Sequence, residues 1–123
     1  MDERDETDTV AILNLAAALE RVGGDQELLE EVAQLFLDTS PDLFTEIGHA
    51  VEARDARALE RAAHTLKGSV GNFGADATFQ AAFLLEKMGR SGNLTGVDEA
   101  YHVLETEMER LRPALATLGH GSG

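Results

Sequence analysis

Apolar residues recur at every third or fourth position along most of the chain, which is the spacing of amphipathic α-helices. No stretch alternates apolar and polar residues between hairpin turns, as a half-buried β-strand would. The pattern therefore predicts an all-α chain. Its clearest stripes are Leu59, Ala62, Ala63, Leu66, Val70 and Phe73, and farther on Val97, Tyr101, Leu104, Met108, Leu111, Leu115 and Leu118.

Capping residues and glycines divide this pattern into one short helix and four long ones. Asn14, Asp25 and Asp55 are candidate N-caps, and Gly23-Gly24 is expected to end the first helix. The predicted helices cover residues 15–22, 25–53, 55–72 and 76–90, with a last one beginning near Asn93 or Thr95.

Two prolines fall inside predicted helices. Pro41 either opens a second helix, with Ser40 as its cap, or kinks one long helix. Because the helical spacing continues beyond it, we favour one kinked helix over residues 25–53. Pro113 places the final turns of the last helix in question.

Four long amphipathic helices joined by short turns favour an antiparallel, up-down-up-down four-helix bundle, with the short first helix capping one end. Leu28 and Leu35 belong to the apolar pattern of the second helix, and Leu84 is expected on the inner side of the fourth. The bundle is expected over residues 10–118, between a disordered acidic leader at 1–9 and a flexible tail at 119–123.

The composition narrows the classes of protein that remain. A chain of 123 residues is long enough for one domain with its own core, and the absence of cysteine excludes disulfides and thiolate metal sites. No apolar run is long enough to span a membrane. The acidic first residues lack the basic start of a secretory signal, so a cytoplasmic protein is expected.

Charge points to a protein partner. The 23 acidic residues outnumber the 10 basic ones, and the formal net charge of −13 opposes binding to nucleic acid or to an anionic membrane surface. The main local exception comprises Arg54, Arg57, Arg61 and Lys67, which flank His64.

The polar face of the third predicted helix, over residues 55–72, carries a histidine close to two glycines. A glycine in a helix interior costs about 0.5–1 kcal/mol relative to alanine, so their presence suggests that something needs room there. Gly74 has a simpler interpretation as the residue that ends or bends the helix. The residues expected on this solvated face are Arg57, Glu60, Arg61, His64, Lys67, Gly68 and Gly71.

These residue types suit phosphoryl transfer. A neutral imidazole, with an ordinary pKa of about 6.5, keeps a free lone pair near pH 7 and is a good nucleophile. Lys67, one turn beyond His64, is placed to stabilise an incoming phosphoryl group. Gly68 and Gly71 would let a partner approach the helix backbone, while Arg57 and Arg61 would attract an acidic pocket. The competing interpretation is that His64 is a solvated residue without a role.

The other histidines carry weaker signals. His49, His102 and His120 share no helix face with His64 or with one another, and we interpret all three as solvated. His102 and Glu105 have a spacing that di-iron bundles also use, but such a site needs inward-facing carboxylates where this chain has apolar residues. No metal site is expected.

At this point the sequence resembles the histidine-containing phosphotransfer (HPt) domains of bacterial phosphorelays. The resemblance extends over roughly residues 12–112 and implies a four-helix bundle with an exposed His64 midway along one helix. The residues that carry it are Ala63-His64-Thr65-Leu66-Lys67-Gly68-Ser69 and Gly71-Asn72-Phe73-Gly74-Ala75, with Leu19-Glu20-Arg21-Val22-Gly23-Gly24-Asp25 upstream and Leu85-Glu86 downstream.

The resemblance implies that His64 accepts a phosphoryl group from an aspartyl phosphate on one receiver domain and passes it to another. It makes Lys67 the cationic partner of the phosphate and Gly68 the small residue that permits docking. It also implies a carrier without kinase activity or cofactor, since the receiver holds the divalent metal ion, such as Mg²⁺. The expected partners are response-regulator receivers and a hybrid histidine kinase, and the expected oligomeric state is a monomer.

Two departures from the family pattern concern packing. Thr78 stands where the family often has a larger apolar residue, with Phe79 beside it as a substitute, and Gly48 lies inside a predicted helix.

Two alternatives to a free-standing phosphocarrier stay open. One is a binding-only helical module that docks receivers without phosphotransfer, and the other is an excised domain of a hybrid sensor kinase.

Overall fold

The computed structural model describes residues 14–119, and every regular element in that range is helical. The all-α prediction is therefore confirmed for this part of the chain. The leader predicted over 1–9 and residues 120–123 of the predicted tail lie outside the described residues. The helices are α1 (Leu15–Arg21), α2 (Gln26–Ala53), α3 (Ala56–Val70), α4 (Asp76–Ser91) and α5 (Val97–Gly119), and a 3₁₀ turn (Gly71–Phe73) follows α3.

Side-chain caps begin the first three helices as the sequence predicts. The side-chain oxygens of Asn14, Asp25 and Asp55 each accept a hydrogen bond from a backbone N–H three residues later, at 3.0, 3.0 and 3.1 Å. Each such cap stabilises a helix end by about 1 kcal/mol. The helix boundaries are therefore encoded locally.

Both prolines lie inside continuous helices. Helix α2 runs through Pro41 without interruption, so the prediction of one long helix is confirmed. The side chain of Ser40, which is buried, accepts a hydrogen bond of 2.9 Å from Arg112 on α5. Helix α5 likewise continues through Pro113 and reaches Gly119, the first residue of the predicted tail.

The four long helices form a closed ring of neighbours. Helix α2 contacts α3, α3 contacts α4, α4 contacts α5, and α5 returns to α2, which is the arrangement of an up-down-up-down bundle. Helix α1 covers one end, where the backbone N–H of Asn14 donates to the carbonyl oxygen of Phe73 at 2.9 Å. None of the described helices has the length and apolarity needed to cross a membrane.

The core confirms the apolar stripe predicted for α3. Leu59, Ala62, Ala63, Leu66, Val70 and Phe73 are all buried. Three leucines depart from expectation, because Leu28, Leu35 and Leu84 are 41%, 62% and 45% exposed. The inward placement of Leu84 was wrong, because the buried side of α4 carries Ala82, Glu86 and Gly89 in addition to Ala81 and Leu85.

Two glycines inside helices permit close packing. A Cβ on Gly89 of α4 would lie 2.6 Å from the carbonyl oxygen of Ala56 and 2.7 Å from the backbone nitrogen of Glu60, both on α3. Only glycine therefore lets these two helices approach so closely. Gly48, which looked unfavourable in the sequence, makes room for Tyr101, whose hydroxyl would lie 2.8 Å from an added Cβ.

Candidate functional site

His64 projects into solvent from the middle of α3, as predicted. Its side chain is 66% exposed. Ala63 and Leu66, which belong to the apolar stripe of the same helix, are fully buried. The Nδ1 atom of His64 lies 3.0 Å from Oε2 of Glu86 on α4. One edge of the imidazole is therefore held by the bundle, and the other faces water.

Glu86 is the buried centre of the site. Its side chain is only 1% exposed, and it lies one turn before Gly89, where an added Cβ would overlap the backbone of α3. Besides the imidazole it contacts two cations. The Nζ atom of Lys67 is 2.8 Å from Oε1, and the Nη2 atom of Arg90 donates to Oε2 at 2.6 Å. A buried carboxylate needs such partners, because an unpaired one would cost several kcal/mol.

These partners keep Glu86 ionised. Burial by itself raises the pKa of the Glu86 carboxyl, but Lys67 and His64 together lower it by more, so its pKa lies below the ordinary value of 4.5. An ionised carboxylate only accepts hydrogen bonds. The hydrogen between Glu86 and His64 must then be on Nδ1, which leaves the lone pair of the neutral imidazole on Nε2, at the exposed edge of the ring.

Lys67 is less exposed than the sequence suggests. Its side chain is 19% exposed, and its ammonium lies between the Glu86 carboxylate and the ring of Phe83, 4.6 Å from the ring centroid. The prediction that Lys67 belongs to the solvated face was wrong. Its Nζ atom lies 2.8 Å from Oε1 of Glu86, and this contact helps to lower the pKa of the Glu86 carboxyl.

The basic residues beside His64 differ from the predicted set of Arg54, Arg57, Arg61 and Lys67. Arg57 and Arg61 are exposed and line a surface depression of about 560 Å³ together with His64. Arg90 also lines this depression. It bridges two carboxylates, because its Nη2 donates to Glu86 and its Nε donates to Oε2 of Glu60 at 3.1 Å.

Arg54 is committed elsewhere. Its guanidinium binds both carboxylate oxygens of Asp98 at the start of α5, at 2.8 and 3.1 Å. Its charge is therefore paired with Asp98 at the end of α2 and does not contribute freely to the surface around His64. Of the four predicted cations, Arg57 and Arg61 are the exposed ones that line the depression with His64.

The three glycines that follow His64 have distinct surroundings. A Cβ on Gly68 would meet no atom within 4 Å, and one on Gly71 would make an ordinary contact of 3.8 Å with the ring of Phe79. Neither glycine is required by packing. Gly74 is different, because its φ of +61° and an added Cβ only 2.6 Å from Asn14 give it a structural purpose at the end of the 3₁₀ turn.

The remaining described histidines stand apart from this site. His49 is exposed, and His102 is an exposed residue 3.4 Å from the carboxylate of Glu105, while His120 lies outside the described residues. Within residues 14–119 no group of three or more histidine, aspartate or glutamate side chains is arranged to hold a metal ion. The structure thus adds nothing in favour of the di-iron interpretation.

Sequence reasoning missed Glu86 and Arg90 as members of the site. The sequence indicates them only weakly. Glu86 shares a helix face with the small residues Ala82 and Gly89, and Arg90 follows it four residues later. A charged residue within an apolar stripe is rarely buried without a partner, so it marks a contact to look for. Which helix supplies the partner cannot be read from the stripe.

Comparison with known proteins agrees with this geometry. Residues 31–114 match the family model described as Hpt domain. The fold is similar to the crystal structure of histidine-containing phosphotransfer protein B from Pseudomonas aeruginosa PAO1, with a TM-score of 0.81 over 89% of this chain and 95% of that one. The identity is 22%, so this likeness concerns the fold. A search of curated proteins found no match.

Since the family model covers more than half of the chain, the protein belongs to the Hpt family of histidine phosphotransfer domains, which act in two-component phosphorelays.

Proposed function

We propose that this protein is a phosphorelay intermediate whose phosphoacceptor is Nε2 of His64. The phosphoryl group comes from an aspartyl phosphate on one receiver domain and passes to the aspartate of another. The observation that carries the proposal is the 3.0 Å contact between Nδ1 of His64 and the buried Glu86 carboxylate. In the neutral imidazole, that contact leaves the lone pair on Nε2, at the solvent-facing edge of the ring.

The chemistry follows from this tautomer. The Nε2 lone pair attacks phosphorus, the N–P bond forms, and the P–O bond to the donor aspartate breaks, so the electron pair leaves with the aspartate carboxylate. The imidazole becomes a cation that keeps its hydrogen on Nδ1, and Glu86 stabilises the positive charge through the hydrogen bond it already makes. Transfer to the next receiver is the same step in reverse, and neither direction requires a proton to move.

The surrounding residues take supporting roles in this proposal. Lys67 supplies positive charge to the phosphoryl oxygens, Arg57 and Arg61 attract the acidic pocket of a receiver, and Gly68 and Gly71 let it approach the backbone of α3. The divalent metal ion belongs to the receiver. The protein is expected to act as a cytoplasmic monomer without kinase activity, with response-regulator receivers and a hybrid histidine kinase as partners.

Labelling by a phosphorylated receiver tests the proposal. We expect the wild type to take up phosphate at an acid-labile, base-stable site, and His64→Gln to take up none. His49→Gln and His102→Gln are matched controls, because both remove an exposed histidine from another helix face and should label normally. Label on His64→Gln would refute the assignment. Normal receiver binding by a wild type that is never labelled would instead support a binding-only module.

Replacing Glu86 tests the contact that carries the proposal. Glu86→Gln can still accept a hydrogen bond from Nδ1 but lacks the charge that stabilises the imidazolium, so we expect transfer to slow by about tenfold. Glu105→Gln is the control, since it removes a carboxylate near another histidine. Unchanged transfer rates in Glu86→Gln would remove Glu86 from the mechanism while leaving His64 as the acceptor.

A further inference from the structure

The Lys67 ammonium is held from two sides by residues of α4. Besides its 2.8 Å approach to Glu86, it lies 4.6 Å from the ring centroid of Phe83 and 5.9 Å from that of Phe79. The two rings are 6.3 Å apart and tilted by 58°, one helical turn from each other. The lysine thus leaves its own helix and packs against the neighbouring one.

Phe83 is not a core residue. It is partly exposed and belongs neither to the buried core nor to the partly buried residues that pack on it, whereas Phe79 does pack on the core. Its ring lies near that of Phe79 and near two ammonium groups, since Nζ of the exposed Lys87 is also 4.6 Å from its centroid. The ring of Phe83 therefore contacts two cations in addition to an apolar side chain.

The ion pair with Glu86 restrains the Lys67 ammonium at one point. The lysine side chain has a flexible four-carbon stem, and the Glu86 carboxylate contacts its ammonium from one side only, at 2.8 Å. The face of an aromatic ring attracts an ammonium electrostatically, and more strongly where water is partly excluded. The ring of Phe83 supplies the second restraint that a single charge contact lacks.

We propose that Phe83 is a positioning residue for phosphotransfer, and that it holds the Lys67 ammonium beside Glu86 so that the cation is in place when a phosphoryl group reaches His64. This inference rests on the proposed function of His64. It assigns Phe83 no contact with the phosphoryl group, because the ring acts through the lysine.

Two measurements without a receiver test the inference. The ring-current shift of the Lys67 ε-methylene protons, measured by NMR, reports the position of the lysine. The rate at which phosphoramidate, a small donor, phosphorylates His64 reports the consequence, with no docking surface involved. We expect Phe83→Leu to lose the shift and to react roughly two- to fivefold more slowly. Phe83→Tyr, which keeps the ring, should match the wild type.

A second pair of variants separates positioning from general destabilisation. Phe44→Leu makes the same change at a partly buried ring on α2, stacked on Tyr101, and should leave both measurements unchanged. In a Lys67→Met background, Phe83→Leu should cause no further slowing, because the group it positions is gone.

The outcomes distinguish this inference from the proposed function. An unchanged Lys67 shift in Phe83→Leu, or equal slowing by Phe83→Leu with and without Lys67, would overturn the positioning role even if His64 is phosphorylated normally. If the wild type is not phosphorylated at His64 by either phosphoramidate or a receiver, the proposed function fails. The NMR comparison would still decide whether Phe83 holds Lys67.

Discussion

At the scale of single residues, Glu86 connects the bundle to the candidate chemistry. One buried carboxylate contacts His64, Lys67 and Arg90, so it orients the imidazole and compensates two cations at once. The same contacts make it costly to alter, since removing one member of a buried ionic group leaves the others unpaired. Stability and activity are therefore linked at this residue.

This link predicts a pH-dependent contribution to stability. The folded pKa of Glu86 is lowered, so its carboxylate stabilises the fold above the ordinary value of 4.5, and that contribution is lost as the pH falls through the lower folded pKa. We expect Glu86→Gln to lower the free energy of unfolding by about 1–3 kcal/mol at neutral pH. The deficit should shrink in acid, because the wild type then loses the same charge.

Urea unfolding followed by circular dichroism between about pH 3 and pH 7 measures this difference. Glu105→Gln provides the baseline, since its carboxylate is 43% exposed and its contact with His102 is long, at 3.4 Å. A surface pair of this kind contributes about 0–1 kcal/mol. A deficit in Glu86→Gln that stays constant across the pH range would show that the charge of Glu86 does not stabilise the fold.

At the scale of helices, the α3–α4 pair builds the site. These two helices pack closely because Gly89 carries no side chain, and that approach buries Glu86 beneath His64 and Lys67. Gly68 lies on the same pair of helices but on their outer surface, with open space around it. The two glycines destabilise a helix equally by intrinsic propensity, but Gly89 is required by packing between α3 and α4, whereas Gly68 is not.

Alanine substitution should separate these reasons. We expect Gly68→Ala to raise the free energy of unfolding by about 0.5–1 kcal/mol, because the helix gains a better helix former and the new methyl meets no atom. Gly89→Ala should lower it by about 1–3 kcal/mol, because its Cβ would overlap the backbone of α3. Thermal or urea unfolding measures both, and a shift of both variants in the same direction would contradict the packing argument.

At the scale of the whole molecule, charge is distributed unevenly. The formal net charge is −13, yet Arg57 and Arg61 stand exposed beside His64. An acidic partner is repelled by most of the surface and attracted by this part of it, within a screening distance of about 8 Å at physiological ionic strength. The local arginines would then guide the approach of a receiver more than they strengthen the final complex.

Association kinetics should reveal this guidance. Replacing Arg57 and Arg61 by alanine together should slow association with a receiver several-fold at low ionic strength and make the rate less dependent on salt. The transfer rate within the formed complex should change little. Stopped-flow mixing measures both rates.

Replacing Arg21 and Arg110 by alanine is the matched control, because it changes the net charge equally on other helices. An equal slowing of association in both double variants would attribute the effect to net charge instead of to position. The proposed contribution of the His64 surface would then be wrong.

The sequence by itself determined the helices and the residue at the centre of the proposal. Helical spacing, three side-chain caps and the glycines that follow them act within a few residues of one another, so their effects are visible without the fold. The exposed position of His64 and the open surface at Gly68 followed from the phase of one helix. The resemblance to phosphotransfer domains rested on the same local string.

Tertiary structure decided which side chains meet His64. Glu86 lies 22 positions away on another helix, Lys67 turns toward that helix instead of toward water, and Arg54 pairs with Asp98, 44 positions away. The phase of a single helix shows which side is apolar, but not how it rotates against its neighbours, as Leu84 illustrates. A Cβ at Gly89 would overlap the backbone of α3, so the fit of these two helices involves backbone packing between segments distant in the sequence.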